Sequence, residues 1–247
     1  MIIYLSLLIV FIILFRFFPE IDIKFSKLFF NTKLISFEKN SYIDISCQII
    51  TIFGFILILI IISYFLFAIK YKNKKSFHHS IYLGLALFIV PILLNHIIFK
   101  SIFHRPRPYD IIEFGGKLNF TKAWDIKGEC MDKCSFPSSH ASLGYFLYSF
   151  IWIIDSKLKK KINHKNILDK LYRKNNFIFK FILYIRLYIF RFFNKKNIFY
   201  IATFLGTIFG GIRIAMGYHF LSDVIFSGFI TFGIIYLINI TTINFFK

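Results

Sequence analysis

Three short clusters hold most of the residues able to do chemistry: KSIFHRPRP from Lys100 to Pro108, PSSH from Pro137 to His140, and RIAMGYHFLSD from Arg213 to Asp223. Lys100 and Arg107 offer a point cation and a planar fork, the side-chain types that suit phosphate oxygens. Pro106 and Pro108 stop a helix near residue 105, so the chain can fold Arg107 back toward Lys100. Pro137 followed by Ser138 and Ser139 reads as a helix start, where free amides bind anions. His140 falls in that first turn. His219 and Asp223 are four residues apart at the start of a helical run and share a face. A carboxylate there holds one ring nitrogen protonated and leaves the other as a nucleophile. Gly217 permits the tight break between Arg213 and His219. The chemistry is that of a phosphate site with a nucleophilic imidazole.

Each cluster alone has an ordinary reading. An Arg at a membrane interface is commonly an anchor. Proline after a span commonly just ends it, and Ser-Ser before a helix is commonly only a cap. Three specified residues at fixed spacing occur by chance in roughly 3% of chains this long, and all three sets together in about 10⁻⁵. The combination, on one side of the membrane and in chain order, is what the ordinary readings do not account for.

The elements that must position these residues are apolar helices. The chain has 247 residues, 57% hydrophobic, 21% aromatic and only 17% charged, with 36 Phe. That composition excludes soluble domains, disorder, collagen and small disulfide scaffolds. Six stretches approach the roughly 20 apolar residues of a span: 2–18, 49–69, 81–99, 139–155, 198–215 and 221–243. The first lacks a basic leader and a small-residue cleavage site, so it reads as a retained helix. The formal charge of +19 reads as topology, not as nucleic-acid binding. Loop 70–79 carries Lys70, Lys72, Lys74 and Lys75, and the insertion 156–197 carries thirteen Lys and Arg against Asp169 alone. Loops 19–47 and 100–138 mix both signs. Positive-inside logic puts the basic loops and both termini in the cytoplasm, and all three clusters on the outer face. Residues 177–193 are apolar but broken by Lys180, Arg186 and Arg191, and read as a cytoplasmic interfacial helix on an anionic leaflet. The expected fold class is all-α: one six-transmembrane helical bundle over 1–247 in a lipid bilayer.

The spacings Lys100-x6-Arg107-Pro108, Pro137-Ser138-x-His140 and Arg213-x5-His219-x3-Asp223 resemble the type 2 phosphatidic acid phosphatase (PAP2) superfamily, over about 100–223 and the six-span layout. The resemblance implies a haloperoxidase-like helical bundle that hydrolyses phosphomonoesters without a metal or cofactor. His219 would attack phosphorus, oriented by Asp223, and form a phosphohistidine. Lys100, Arg107, Ser138, the amides near Ser139, and Arg213 would hold the phosphate oxygens. His140 would protonate the leaving alkoxide and then activate water. Two positions depart from the pattern. Ser139 stands where the family has Gly, and Ile212 where it has Ser, which adds crowding and removes one hydroxyl donor. The tract Arg105–Ser142, with Cys130 and Cys134 ahead of the second motif, resembles the bacterial lipid A phosphatase branch.

The expected function is removal of phosphate from a membrane lipid at the periplasmic face of the inner membrane. Lipid A or a related phosphorylated glucosamine lipid comes first; phosphatidylglycerophosphate, phosphatidic acid and undecaprenyl pyrophosphate are the alternatives. An anion transporter would place its site near the midplane, whereas these residues gather at one surface. A silent scaffold is disfavoured by the intact His219, Asp223 and His140. Loop 109–136, with Phe114, Phe120 and Trp124, is expected to select the head group together with 19–47, against the alternative of a simple connector. An outer, oxidising location allows a Cys130–Cys134 disulfide, and Cys47 leaves a free thiol or another pairing open. Gly206 and Gly210 form a GxxxG packing face. The oligomeric state is not legible.

Overall fold

A computed structural model describes residues 2–37, 41–154 and 194–245, and these are mostly helical. Helix α1 (Ile2–Phe17) gives way at Pro19 to α2 (Glu20–Lys27), bent 82° away from it. Glu20 and Asp22 in the first turn of α2, and Lys24 and Lys27 in its last, match the helix dipole. A two-stranded antiparallel hairpin pairs Phe30 with Phe37 and Asn31 with Ser36. It leads into α3 (Ser41–Lys70). The most apolar window of α3 is only 17% buried, so most of its side chains face hydrocarbon.

Helix α4 (Lys74–Leu87) starts at Asn73, whose side chain accepts the Ser76 amide. The basic tract 70–79, expected as a loop, is therefore largely the first turns of a helix. The cap explains the difference: Asn73 takes a free amide of the first turn. The helix widens to a π-helical stretch over Phe88–Ile98 around Pro91, which has no N–H to give the ladder and crowds the preceding carbonyl. Helix α5 (Phe99–Phe103) ends at His104 in the left-handed region, φ 45°, ahead of Pro106 as the sequence implied.

Helix α6 (Ser139–Tyr145) continues through a tight turn, Phe146–Ser149, into α7 (Phe150–Ile153). Helices α8 (Lys195–Ala215) and α9 (Leu221–Phe245) complete the described chain. Tyr42–Lys70, Lys74–Asp110, Lys195–Ala215 and Leu221–Thr242 are long and apolar enough to cross a membrane, and the bent α1–α2 pair would make a fifth. The stretch expected as a span over 139–155 is helical from Ser139 through Ile153, shorter within the described residues than those helices. Six spans are therefore not reached among the described residues. The interfacial helix expected at 177–193 lies outside the described residues, as does most of the basic insertion.

Two glycines bring α6 against α8. A Cβ on Gly144 would lie 2.5 Å from the Gly206 amide nitrogen, and one on Gly206 would lie 2.3 Å from the Tyr145 ring. Gly210, the second member of the GxxxG pair, meets Val224 of α9 in the same way. Tyr148 reaches Thr203 of α8 at 2.8 Å, hydroxyl to hydroxyl. A second core gathers Phe15, Phe103, Phe136 and Phe226 around Trp124. The rings of Phe103, Phe136 and Phe226 stand 5.0–5.5 Å from Trp124, close to perpendicular. Phe114 packs on Phe30 and Phe37. Phe114 and Trp124, in the loop expected to select the head group, therefore pack inward and anchor that loop. Cys130 and Cys134 are disulfide-bonded and Cys47 is free.

Two outcomes follow. Gly144→Leu drives a side chain into the α8 backbone and is expected to destabilise the protein by about 1–3 kcal/mol, read as a lowered Tm in detergent. A thiol count under denaturing, non-reducing conditions is expected to find one thiol per chain, and three would exclude the disulfide.

Candidate active site

Helix α8 ends at Ala215, and the chain reverses through Gly217 at φ 71°. A Cβ at Gly217 would lie 2.3 Å from the Phe37 ring, so both the conformation and the space demand glycine there. The turn delivers His219 to the mouth of α9. His219 is 1% exposed and Asp223 is fully buried. The imidazole turns Nδ1 toward Asp223, 3.4 Å from Oδ2, which leaves Nε2 as the ring nitrogen directed away from the carboxylate. Oδ2 also accepts the Phe220 amide at 2.8 Å, so Asp223 caps its own helix while it faces the imidazole.

The cations come from three places: Lys100 in α5, Arg107 just past the left-handed break, and Arg213 in the last turn of α8. The Tyr218 ring holds the two guanidinium groups, with Arg213 at 4.0 Å and Arg107 at 4.9 Å from its centroid. Arg107 donates to the Tyr109 hydroxyl at 3.3 Å, and Arg213 to the Cys47 sulfur at 3.3 Å. Nε of Arg107 and Nε of Arg213 are buried with no hydrogen-bond partner among the described residues. A buried orphan donor costs about 1–3 kcal/mol. Donors gathered on one spot are what an anion would satisfy. Burial, and then the charges of Lys100, Arg107 and Arg213, hold the His219 pKa well below its ordinary 6.5. Both effects favour the neutral ring at neutral pH, with its lone pair available.

The second cluster is tied to the third. The Ser138 amide donates to the Asp223 carbonyl at 3.2 Å, and Ser227 of α9 donates to the Ser138 carbonyl at 2.8 Å. The Ser138 hydroxyl accepts the Ala141 amide at 3.3 Å and so caps α6. Helix geometry leaves the first amides, those of Ser139 and His140, without intrahelical partners. Ser139 and His140 line the head of an apolar groove of about 300 Å³ that runs between α3 and the π-helical stretch, past Phe55, Pro91 and His96. The structure thus places Lys100, Arg107, Ser138, Ser139, His140, Arg213, His219 and Asp223 in one neighbourhood. The two departures from the motif pattern, Ser139 and Ile212, are half-buried. Among the described residues no group of three or more His, Cys, Asp or Glu could hold a metal ion.

Three site residues escaped the sequence reading. Tyr218 lies inside the third motif, but spacing alone does not mark a stacking plate. Arg105 lies two residues before Arg107, and its doubling in Arg105-Pro106-Arg107-Pro108 was the available signal. It is 1% exposed. It pairs with Asp223, with Asp22 at 2.8 Å, with the Ser222 hydroxyl at 2.8 Å and with the Thr121 carbonyl at 2.8 Å. Asp22 carried only a loop charge in the sequence reading.

The PAP2 superfamily model matches residues 79–246. The lipid A 4'-phosphatase of Francisella tularensis subsp. novicida (strain U112) is 26% identical over 221 residues, covering 87% of this chain and 83% of that protein. Lipid A 4'-phosphatases of Rhizobium etli (strain ATCC 51251 / DSM 11541 / JCM 21823 / NBRC 15573 / CFN 42) and Rhizobium leguminosarum are 36% and 34% identical over 74 and 73 residues. Each of these matches covers 30% of this chain and 29% and 31% of those proteins, respectively. No solved structure matches this chain significantly.

Removing the Tyr218 plate leaves two guanidinium groups repelling each other. Tyr218→Ala is expected to weaken inorganic phosphate binding by about 2- to 30-fold, from cation–π contacts of about 0.5–2 kcal/mol. Tyr218→Phe keeps the ring and is expected to stay within about 3-fold. Calorimetric titration of the detergent-purified protein checks both.

Proposed function

We propose, from the premise that this chain belongs to the PAP2 superfamily, that it removes the 4'-phosphate of lipid A at the outer face of the inner membrane. The chain is a phosphomonoester hydrolase of the branch whose curated relatives are named lipid A 4'-phosphatase. The observation that carries the reading is the set of buried, partnerless Nε donors of Arg107 and Arg213 around the neutral His219. The apolar groove that ends at His140 gives an acyl-bearing substrate a place beside it.

In this reading Lys100, Arg107, Arg213, the Ser138 hydroxyl and the first amides of α6 hold the three phosphoryl oxygens. Nε2 of His219 places its lone pair on phosphorus as the bond to the sugar oxygen breaks, and His140, protonated once the bound phosphate dianion offsets the cations beside it, gives that oxygen its proton. The charge that develops on His219 is met by Asp223 through Nδ1. His140, now neutral, takes a proton from water, whose oxygen attacks phosphorus and breaks the phosphorus–nitrogen bond. Inorganic phosphate leaves and both histidines return to their starting states. No step draws on a metal. The topology belongs to the same reading: six spans, both termini and the basic insertion cytoplasmic, and the site periplasmic, supported by the Lys-rich composition of 70–79 and 156–197.

The test is phosphate release by the detergent-purified protein in EDTA, from lipid A, phosphatidylglycerophosphate, phosphatidic acid and undecaprenyl pyrophosphate. Release is expected from lipid A, with the 4'-phosphate lost. His219→Ala is expected to lower kcat by at least about 10³-fold, and His140→Asn by about 10²- to 10⁴-fold. Release that stops in chelator would overturn the mechanism; preference for another lipid would overturn the substrate. The pH dependence has a definite sign. Lys100 is one of the cations that disfavour the imidazolium. Lys100→Met is therefore expected to raise the His219 pKa and move the acidic limb of kcat/KM up in pH relative to wild type on the same substrate.

A further inference from the structure

Asp22 lies outside the three clusters and Arg105 is an unassigned position within the first, yet they stand directly behind the pair that activates the nucleophile. Arg105 turns one guanidinium nitrogen to Oδ1 of Asp223 and to the Ser222 hydroxyl, and the other to Oδ2 of Asp22 at 2.8 Å. Asp22 in turn accepts the Ser222 amide at 2.8 Å and the Ser222 hydroxyl at 2.6 Å. The helix bent back from α1 thus caps the N-terminus of α9 from outside it. Asp22, Arg105 and Asp223 are each at most 1% exposed.

We propose that Asp22 and Arg105 are a positioning pair for the phosphatase reaction, which hold Asp223 in place and divide Arg105's charge between two carboxylates so that one negative charge remains for His219. The proposal rests on the phosphatase reading above. With both carboxylates ionised, they and the one guanidinium sum to −1 in a buried site. The groups that face His219 are Lys100 of α5, Arg107 of the following loop, Arg213 of α8, His140 of α6 and Asp223 of α9, with Arg105 and Asp22 of α2 behind Asp223. Three of these are fixed cations, which bind the phosphate but oppose charge on the imidazole. Bond formation between Nε2 and phosphorus makes His219 cationic, and the residual −1 then counts. Without the Asp22 carboxylate, Arg105 would neutralise Asp223 and that stabilisation would be lost. Ground-state phosphate rests on Lys100, Arg107 and Arg213 and would not feel the loss. An interaction that grows only as the bond forms is one that raises kcat.

Two oxyanions separate these effects without any lipid. Inorganic phosphate reports ground-state binding. Orthovanadate accepts a fifth ligand and reports the nitrogen-bonded, transition-state-like geometry. Titrations of the detergent-purified full chain with each anion are expected to show at least a 10-fold weaker vanadate Kd for Asp22→Asn, with phosphate changed less than about 3-fold. Ser222→Ala removes only the hydroxyl shared by Asp22 and Arg105. It is expected to show the same pattern at about 3-fold, and it serves if Asp22→Asn does not fold. Kinetics on the released-phosphate assay are expected to show kcat lowered with KM unchanged. Equal weakening of both anions, or of neither, overturns the positioning role and leaves a structural one. A wild-type protein that binds phosphate but not vanadate overturns the phosphohistidine reading itself, and the proposal falls with it.

Discussion

A guanidinium carried wholly out of water is stable only if carboxylates and carbonyls meet its N–H groups, since an unpaired buried ion costs several kcal/mol. Arg105 meets that condition with Asp22, Asp223, Ser222 and the Thr121 carbonyl, and its guanidinium lies 4.4 Å from the Phe220 ring centroid. Much of the outer face depends on this solution. It ties the helix after α1, the loop after α5 and the start of α9 to one point. The backbone repeats the tie, since the Ser135 amide donates to the Arg105 carbonyl and the Cys130 amide to the His104 carbonyl. Loop 109–136 is thereby closed over the same spot that orients His219. Breaking one partner of such a cluster is far worse than never having built it, which makes the geometry hard to deform.

Arg107 and Arg213 are treated in the opposite way. Their guanidinium groups rest against Tyr218 and reach weak partners, a phenol and a sulfur. Their buried Nε atoms are left without partners among the described residues. Arginines a few residues apart in sequence or space therefore do different work. The fully paired one organises the scaffold, and the incompletely paired ones hold donors for an anion. Tyr218 reconciles two like charges by giving both the negative face of one ring. The same cations keep His219 neutral, so the charge that binds a phosphate also preserves the nucleophile's lone pair.

The apolar mass of the protein acts at a distance from this chemistry. Gly144 and Gly206 let α6 and α8 approach until backbone meets backbone, which sets His140 and Arg213 on neighbouring elements. The Ser227 hydroxyl and the Ser138 amide then lock the start of α6 to α9. Helix α3 adds one wall of a largely apolar groove that Ser139 and His140 also line. Lipid-facing packing and polar recognition thus meet at one end of α6.

The membrane-helix character and the three clusters are legible in the linear chain, because apolar runs, charge asymmetry and fixed spacings act over short range. It also marked Gly217 and the break before Pro106, where local backbone conformation is decisive, and the Cys130–Cys134 pair. Tertiary structure alone decided the rest. Asp22 and Arg105 are 83 residues apart in sequence, and no local pattern shows that a loop acid and a spare arginine will share a dry pocket. Trp124 and Phe114 stand in a loop expected to select the head group, and only packing shows that their rings turn inward. Tyr218 gained its role from two guanidinium groups that reach it from different elements. The start of α4 inside a Lys-rich tract depended on one cap, at Asn73, which charge counting does not weigh. The physical reason is the same in each case: burial and pairing are properties of surfaces brought together, and a linear pattern records only the surfaces.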